Sequence, residues 1–293
     1  MIYLTNNSLQ IAIFCFILFG NNATAQKAAN LHRTESVEWQ HKGDAAYQAA
    51  DYAAAAAYFD HALHGAHDPY TIYMSKGGAE LMLGYTKPAI QSFSAAAQLA
   101  PTRCAPLLCR AQANLLFREY DAVIKDCGRV LSMMPTEERA FYLRAKARLE
   151  SGDARLAVAD FDRVVRLNPI AANFNDRAFA KISAAQWQSA IADLDYALRL
   201  DPTFAAARSN RARAKYTTGD VNGALTDYND LIIAHPTENT LVERGLIYQS
   251  LGKYAIAVHD FDAALRLNPS SVVAQKARQR AEQERSKQRT KQM

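Results

Sequence analysis

Five arginines stand at a fixed distance from five aspartates. Arg110, Arg144, Arg177, Arg211 and Arg244 are followed sixteen residues later by Asp126, Asp160, Asp193, Asp227 and Asp260. A guanidinium offers parallel N–H donors that match the edge of a carboxylate, so this spacing predicts bidentate ion pairs. Partly buried pairs of this kind fix register more than they add stability. A second reading is a ladder of cations open to a ligand, but the co-recurring aspartates would neutralise it.

Other reactive side chains are few. His61, His64 and His67 run at spacings of three, and successive helical turns could offer His61 and His64 to one metal ion. No cysteine or carboxylate accompanies them, and histidine suits a helix C-terminus on dipole grounds alone, so no metal is expected. Cys104, Cys109 and Cys127 fall within one short stretch. Cys104 and Cys109 would point in different directions from one helix. A Cys109–Cys127 bridge between two helices is conceivable, and the alternative is that all three are small buried hydrophobes. There is no Gly-rich phosphate loop, no G-x-S-x-G elbow, no H-E-x-x-H and no C-x-x-C. The expectation is a protein with no catalytic residues, no cofactor and no small-molecule substrate.

The elements that hold these residues follow from a repeat. Pro101, Pro135, Pro169, Pro202, Pro236 and Pro269 lie 33 or 34 residues apart, within seven copies that begin at Ser36, Tyr70, Cys104, Glu138, Ala171, Ala205 and Glu238. Slot 8 of each copy is Gly or Ala (Gly43, Gly77, Ala111, Ala145, Ala178, Ala212, Gly245), and slot 20 is Ala or Val. Small residues there let two helices approach closely. Slot 24 supplies the filler between them: Phe59, Phe93, Cys127, Phe161, Leu194, Tyr228 and Phe261. Gly84, Gly152, Gly219 and Gly252 share slot 15, where a left-handed helix-ending residue belongs. Each copy therefore reads as two helices of about 13 residues, roughly 20 Å long. Neither can bury its apolar face alone, so stacking supplies the core.

These slots resemble tetratricopeptide repeats, whose pattern W-x2-L-G-x2-Y, A-x3-F and P falls on Trp39, Gly43, Ala55 and Phe59 in the first copy. In the last copy it falls on Gly245, Tyr248, Ala257, Phe261 and Pro269. The departure is slot 7, leucine in the family but basic here in all seven copies, beginning with Lys42 and Lys76. The resemblance implies an all-α, right-handed superhelical solenoid of seven helix-turn-helix hairpins with a C-terminal capping helix. Its copies would be 36–69, 70–103, 104–137, 138–170, 171–204, 205–237 and 238–269. It further implies a concave groove lined by slots 2, 5, 9, 12 and 13 of each first helix, where a protein or peptide segment would dock. Those slots are Met74, Leu81, Met82, Leu108, Gln112, Leu115 and Leu116, and then Arg139, Tyr142, Lys146, Asn175, Phe179, Arg213 and Tyr216. Slots 12 and 13 could equally serve packing between copies. The Lys–Asn–Arg clamp of chaperone-binding relatives is not reproduced, which disfavours chaperone tails as partners.

The ends differ from the body. Residues 11–19 form an apolar run followed by Ala23-Thr24-Ala25, a small-x-small site, so a signal peptide over 1–25 with cleavage before Gln26 is expected. The run is shorter than the roughly 20 residues a membrane span needs. No Lys or Arg lies in the first ten residues, so its positive end rests on the α-amino group. A linker over 26–35 would follow, and the destination would be the periplasm or the exterior. Across 293 residues, 49% hydrophobic and 22% charged, the balance is that of a folded chain. The net charge of +5 resides after Pro269, where seven Lys or Arg face two Glu. This segment, 270–293, reads as a basic cap with Val273, Ala277 and Ala281 on its docking face, fraying beyond Glu282. It is also the one place for contact with anionic lipid; the neutral body disfavours nucleic acid.

Overall fold

The computed structural model describes residues 32–292, which contain helices and turns and no strand. The signal peptide and most of the linker expected before residue 32 lie outside the described residues. The last four residues of that linker are already helical, because α1 covers residues 32–48. It pairs with α2 (Tyr52–Ala62), and five more hairpins follow: α3 (Pro69–Met82) with α4 (Thr86–Leu99), α5 (Ala105–Leu116) with α6 (Tyr120–Met133), α7 (Glu138–Glu150) with α8 (Ala154–Leu167), α9 (Ala171–Ser183) with α10 (Trp187–Leu200), and α11 (Ala205–Thr217) with α12 (Val221–Ala234). The seventh joins α13 (Glu238–Ser250) to α14 (Tyr254–Leu267), and α15 (Val272–Gln292) ends the chain. Two compact units result, one up to Leu143 and one from Arg144 on.

Helix ends are set locally. Asp51, Asp68 and Asp220 accept from the backbone N–H three residues on, and Thr237 and Thr240 form a capping box. Slot 15 turns left-handed in every copy. Gly84, Gly152, Gly219 and Gly252 have positive φ, and so do Ala50, Arg118 and Ala185 in the three copies that lack glycine. A side chain in that region costs about 1 kcal/mol or more, so the flanking helices must impose the turn there.

Packing follows the slots. Ala55, Ala89, Val123, Ala157, Ala190, Ala224 and Ala257 are fully buried, beside equally buried slot-24 side chains. Where slot 8 is glycine, the slot-24 phenylalanine ring takes the space. A Cβ on Gly43, Gly77 or Gly245 would lie 2.6–2.7 Å from the ring of Phe59, Phe93 or Phe261.

The slot-7 arginines join three helices. Each donates from Nε and Nη2 to both oxygens of the aspartate sixteen residues on, at 2.5–2.9 Å, so the pairs lie within a hairpin. The aspartate side chains are 1–8% exposed and the arginines 16–24%. Nη1 reaches back to slot 25 of the preceding copy: Arg110 to Ser94, Arg177 to Asp162, Arg211 to Asp195 and Arg244 to Asn229, at 2.7–3.1 Å. A second cation from slot 11 shares the aspartate in three copies, as Arg148 on Asp160, Lys181 on Asp193 and Lys215 on Asp227. The second copy inverts the scheme: Glu80 at slot 11 accepts from Ser92 at 2.7 Å and faces Lys76, which also binds Asp60.

α15 packs on α14 like one more first helix, and its Arg278 reaches back through Nε to Asp262 at slot 25 of the preceding copy. Its buried residues are Ala274, Ala277 and Ala281, while Val273 is 62% exposed. Spacings of three and four follow the 3.6-residue turn on this face, which the expected Val273 register misses. Beyond Glu282 the helix continues to Gln292, with Lys287–Glu284 at 2.7 Å and Arg285–Glu282 at 3.7 Å on its surface.

Candidate functional site

Packing consumes one side of every hairpin, so the face left for a partner is the outward side of the first helices. In the first unit, Met82 and Leu116 occupy slot 13 and are 56% and 65% exposed, with Tyr85 and Phe117 exposed next to them. Lys87 lies over the Phe117 ring at 5.1 Å, so its charge borders the apolar patch. Leu115 is half-buried, and Gln112 accepts from Arg139. Tyr142 is half-buried at the end of this unit.

Three expected groove residues belong wholly or partly to the core instead. Leu108 is only 7% exposed. Met74 and Leu81 pack on the cluster of Ala89, Phe93 and Ala113. The physical reason is helical phase: slots 5 and 12 lie close enough to the contact stripe that long apolar side chains turn inward and are buried.

In the second unit the corresponding face is polar. Lys146 is half-buried, and Phe179, Arg213 and Tyr216 are exposed. Asn175 is buried at 9% exposure and accepts from Asn210 Nδ2 at 2.9 Å, which spans α9 and α11. Tyr216 donates to Ser250 Oγ at 2.9 Å, which spans α11 and α13. Asn210, at slot 6, was invisible to slot reasoning, whereas Ser250 stands at slot 13 of the seventh copy, whose groove residues were not named.

Among the described residues each unit has a cavity bordered by first helices, and the two share most of their slots. The first, about 400 Å³, is lined by Asp44, Tyr47 and Gln48 at slots 9, 12 and 13, by Phe59 at slot 24, and by Ser75, Gly78 and the expected groove residue Met74 of the next copy. The second, about 250 Å³, repeats the arrangement with Arg213, Tyr216, Thr217 and Tyr228, and with Glu243 and Leu246 of the next copy. The one signal in the sequence was Tyr228, the single hydroxylated side chain among the seven slot-24 fillers.

The remaining candidates are structural. The arginine ladder is occupied by its aspartates; hydrogen bonds donated to Asp126 and Asp260 hold Arg110 and Arg244 above the ordinary guanidinium range against the opposing effect of burial. Among the described residues Cys104, Cys109 and Cys127 form no disulfide, and burial pushes the Cys109 thiol up, away from reactivity. His61 stacks on Trp39 with centroids 4.9 Å apart, and no group of three or more metal-ligating side chains gathers among the described residues. No described helix is long and apolar enough to cross a membrane.

Comparison with known proteins agrees with the hairpins. Tetratricopeptide repeat models match residues 42–103, 176–239 and 239–271, between them more than half of the chain. No curated protein sequence matches. A tetratricopeptide repeat protein from Parabacteroides merdae superposes with a TM-score of 0.65 at 18% identity, covering 85% of this chain and 99% of its own. The C-terminal part of a repeat-containing protein from Cytophaga hutchinsonii gives 0.64 at 15% identity, with 80% and 97% covered. YrrB, described as a TPR protein with an unusual peptide-binding site, gives 0.53 at 16% identity, with 64% and 97% covered. At these identities the structures speak for the fold alone. Matching repeat models, seven hairpins in register and the shared fold together place this chain in the tetratricopeptide repeat family.

Proposed function

We propose that this protein is a non-catalytic docking scaffold of the bacterial cell envelope, which holds a segment of a partner protein on the outward face of its first helices. The observation that carries the reading is the contrast within the repeat. Slots 8, 20 and 24 are buried in every copy, whereas slot 13 bears exposed Met82 and Leu116 that the fold does not use. Methionine and leucine beside an aromatic ring suit an apolar anchor of an extended or helical segment. The polar face around Arg213 and Tyr216 suits a hydrogen-bonding portion of such a segment. A family in which YrrB is described with a peptide-binding site supports the choice of a peptide as ligand. The envelope location rests on the export signal expected over residues 1–25.

Affinity capture from envelope extract, with wild type beside a Met82→Glu/Leu116→Glu variant of unchanged helicity, tests the docking face. A discrete partner retained by wild type and lost from the variant is expected, and equal capture by both would sink the assignment. N-terminal sequencing of the protein from fractionated cells tests export, with Gln26 as the expected first residue. An accessory subunit regulating an envelope enzyme differs from this reading only in the partner so captured.

A further inference from the structure

The cavity of the second unit contains a group that its fold leaves unsatisfied. Tyr228 is 1% exposed and is one of the side chains around a space of about 250 Å³, and its buried hydroxyl has no hydrogen-bond partner. Ser209 stands near enough to influence the hydroxyl but offers no bond of normal length and angle. Leaving a buried hydroxyl unpaired costs about 1–3 kcal/mol, a penalty the slot avoids wherever it holds Phe, Leu or Cys. The equivalent cavity of the first unit is floored by Phe59 and has no such group.

Two opposite charges share the cavity with that hydroxyl. Burial holds the phenol well above its ordinary range, the Glu243 carboxylate pushes in the same direction, and the Arg213 guanidinium opposes them. The hydroxyl is thus a fixed donor, with a second donor in Arg213 and an acceptor in Glu243. A lone carboxylate would gain Arg213 and meet Glu243; a lone ammonium would meet the reverse. A primary carboxamide satisfies all three groups, because it carries an acceptor oxygen and two N–H donors and no net charge. Leu246 and the Tyr216 ring supply an apolar lining for its methylene stem.

We propose that this cavity is the receptor for a glutamine or asparagine side chain of the docked segment. The carboxamide oxygen accepts from Tyr228 and Arg213, and its NH2 donates to Glu243. The assignment rests on the docking reading above and adds the side-chain class that the second unit selects.

The test is selection of random dodecapeptides displayed on phage against the full chain, followed by affinities of the selected peptides for wild type and for Tyr228→Phe, Glu243→Gln and Met82→Glu/Leu116→Glu variants. Peptides enriched in Gln or Asn are expected. Replacing that residue by Glu or Leu weakens binding about tenfold, and Tyr228→Phe weakens it about fivefold. Over the same change the melting temperature stays level or rises, since the hydroxyl contributes nothing to the fold, which separates a binding role from a structural one. Peptides that bind Tyr228→Phe and wild type equally, yet lose affinity on the Met82→Glu/Leu116→Glu variant, overturn the carboxamide receptor and leave the docking reading standing. Enrichment of Asp or Glu in place of Gln or Asn overturns it likewise. A library that yields no binder overturns the docking reading and this one with it.

Discussion

Removing one aspartate from the ladder should cost more than removing its arginine. Asp227 is the sharpest case, since its side chain is 2% exposed and accepts from Arg211 at 2.5 and 2.9 Å and from Lys215 at 2.9 Å. Asp227→Ala leaves two cations, each 18% exposed, facing a cavity instead of a carboxylate. Breaking a buried pair costs about 3–5 kcal/mol, and partial exposure of the cations places the expected loss near the lower end, at about 3 kcal/mol. At roughly 2–4 °C per kcal/mol for a chain of this size, the midpoint of the second unit should fall by about 6–12 °C. Arg211→Ala should cost less, because Lys215 still neutralises Asp227 and Asp195 is 43% exposed to water. The double change Arg211→Met/Asp227→Leu should recover most of the loss, since apolar groups of similar size replace buried pairs at little cost. Differential scanning calorimetry of the three variants decides the matter, with separate transitions fitted because repeat arrays need not melt as one. A fall below 3 °C for Asp227→Ala, or a double variant no more stable than the single, would refute the claim that these pairs are buried structural bonds.

Three further outcomes follow from packing and charge. Burial raises the Glu80 carboxyl above its ordinary value of 4.5, so the folded state holds that proton more tightly than the unfolded chain. Its contribution is greatest below pH 4.5 and is lost as pH rises through the folded value, so Glu80→Gln should raise the melting temperature at pH 7 and have no effect at pH 4. Dye-monitored melting from pH 4 to 8 reads this, and a gain that grows toward acid would contradict it. Gly245→Ala puts a Cβ 2.6 Å from the Phe261 ring and should destabilise by about 1–3 kcal/mol, whereas Gly78→Ala, with Tyr47 Oη at 3.5 Å, should stabilise by about 0.5–1 kcal/mol. Urea titrations that rank the two the other way would be wrong for this packing. Ala185→Gly should stabilise by about 1 kcal/mol by relieving a φ of 58°, and an unchanged urea midpoint would mean the turn is not strained.

The fold was legible because the period reports every helix end and every packing slot at once. Even so, slot 15 showed its left-handed turn only through four glycines; Ala50, Arg118 and Ala185 adopt it because the flanking helices force them to, and residue type carries no trace of that. The ion pairs were readable from spacing, but their reach to the preceding copy was not, since slot 25 varies among Ser, Asp, Asn and Gly. The docking face was harder. A slot defines a direction to within about a third of a turn, and whether Leu108 or Leu116 is the exposed leucine depends on the neighbouring helix that covers it. Tyr228 was assigned to packing by its slot, and its ring does pack; its hydroxyl, one bond further, is left without a hydrogen-bond partner.

The backward reach of the arginines gives the chain a direction that its sequence symmetry conceals. Each guanidinium of Arg110, Arg177, Arg211 and Arg244 binds a side chain that is synthesised before it. As the polypeptide emerges from its N-terminus, each of these four hairpins therefore finds a side chain to bind already in place. Truncation shares the asymmetry. Loss of copies from the C-terminus strands a hydroxyl, an amide or a carboxylate, and the carboxylates Asp162 and Asp195 are 37% and 43% exposed and readily hydrated. Loss from the N-terminus strips a bond from a mostly buried arginine. Shortened forms that keep the beginning of the chain should thus persist where forms that keep only its end do not.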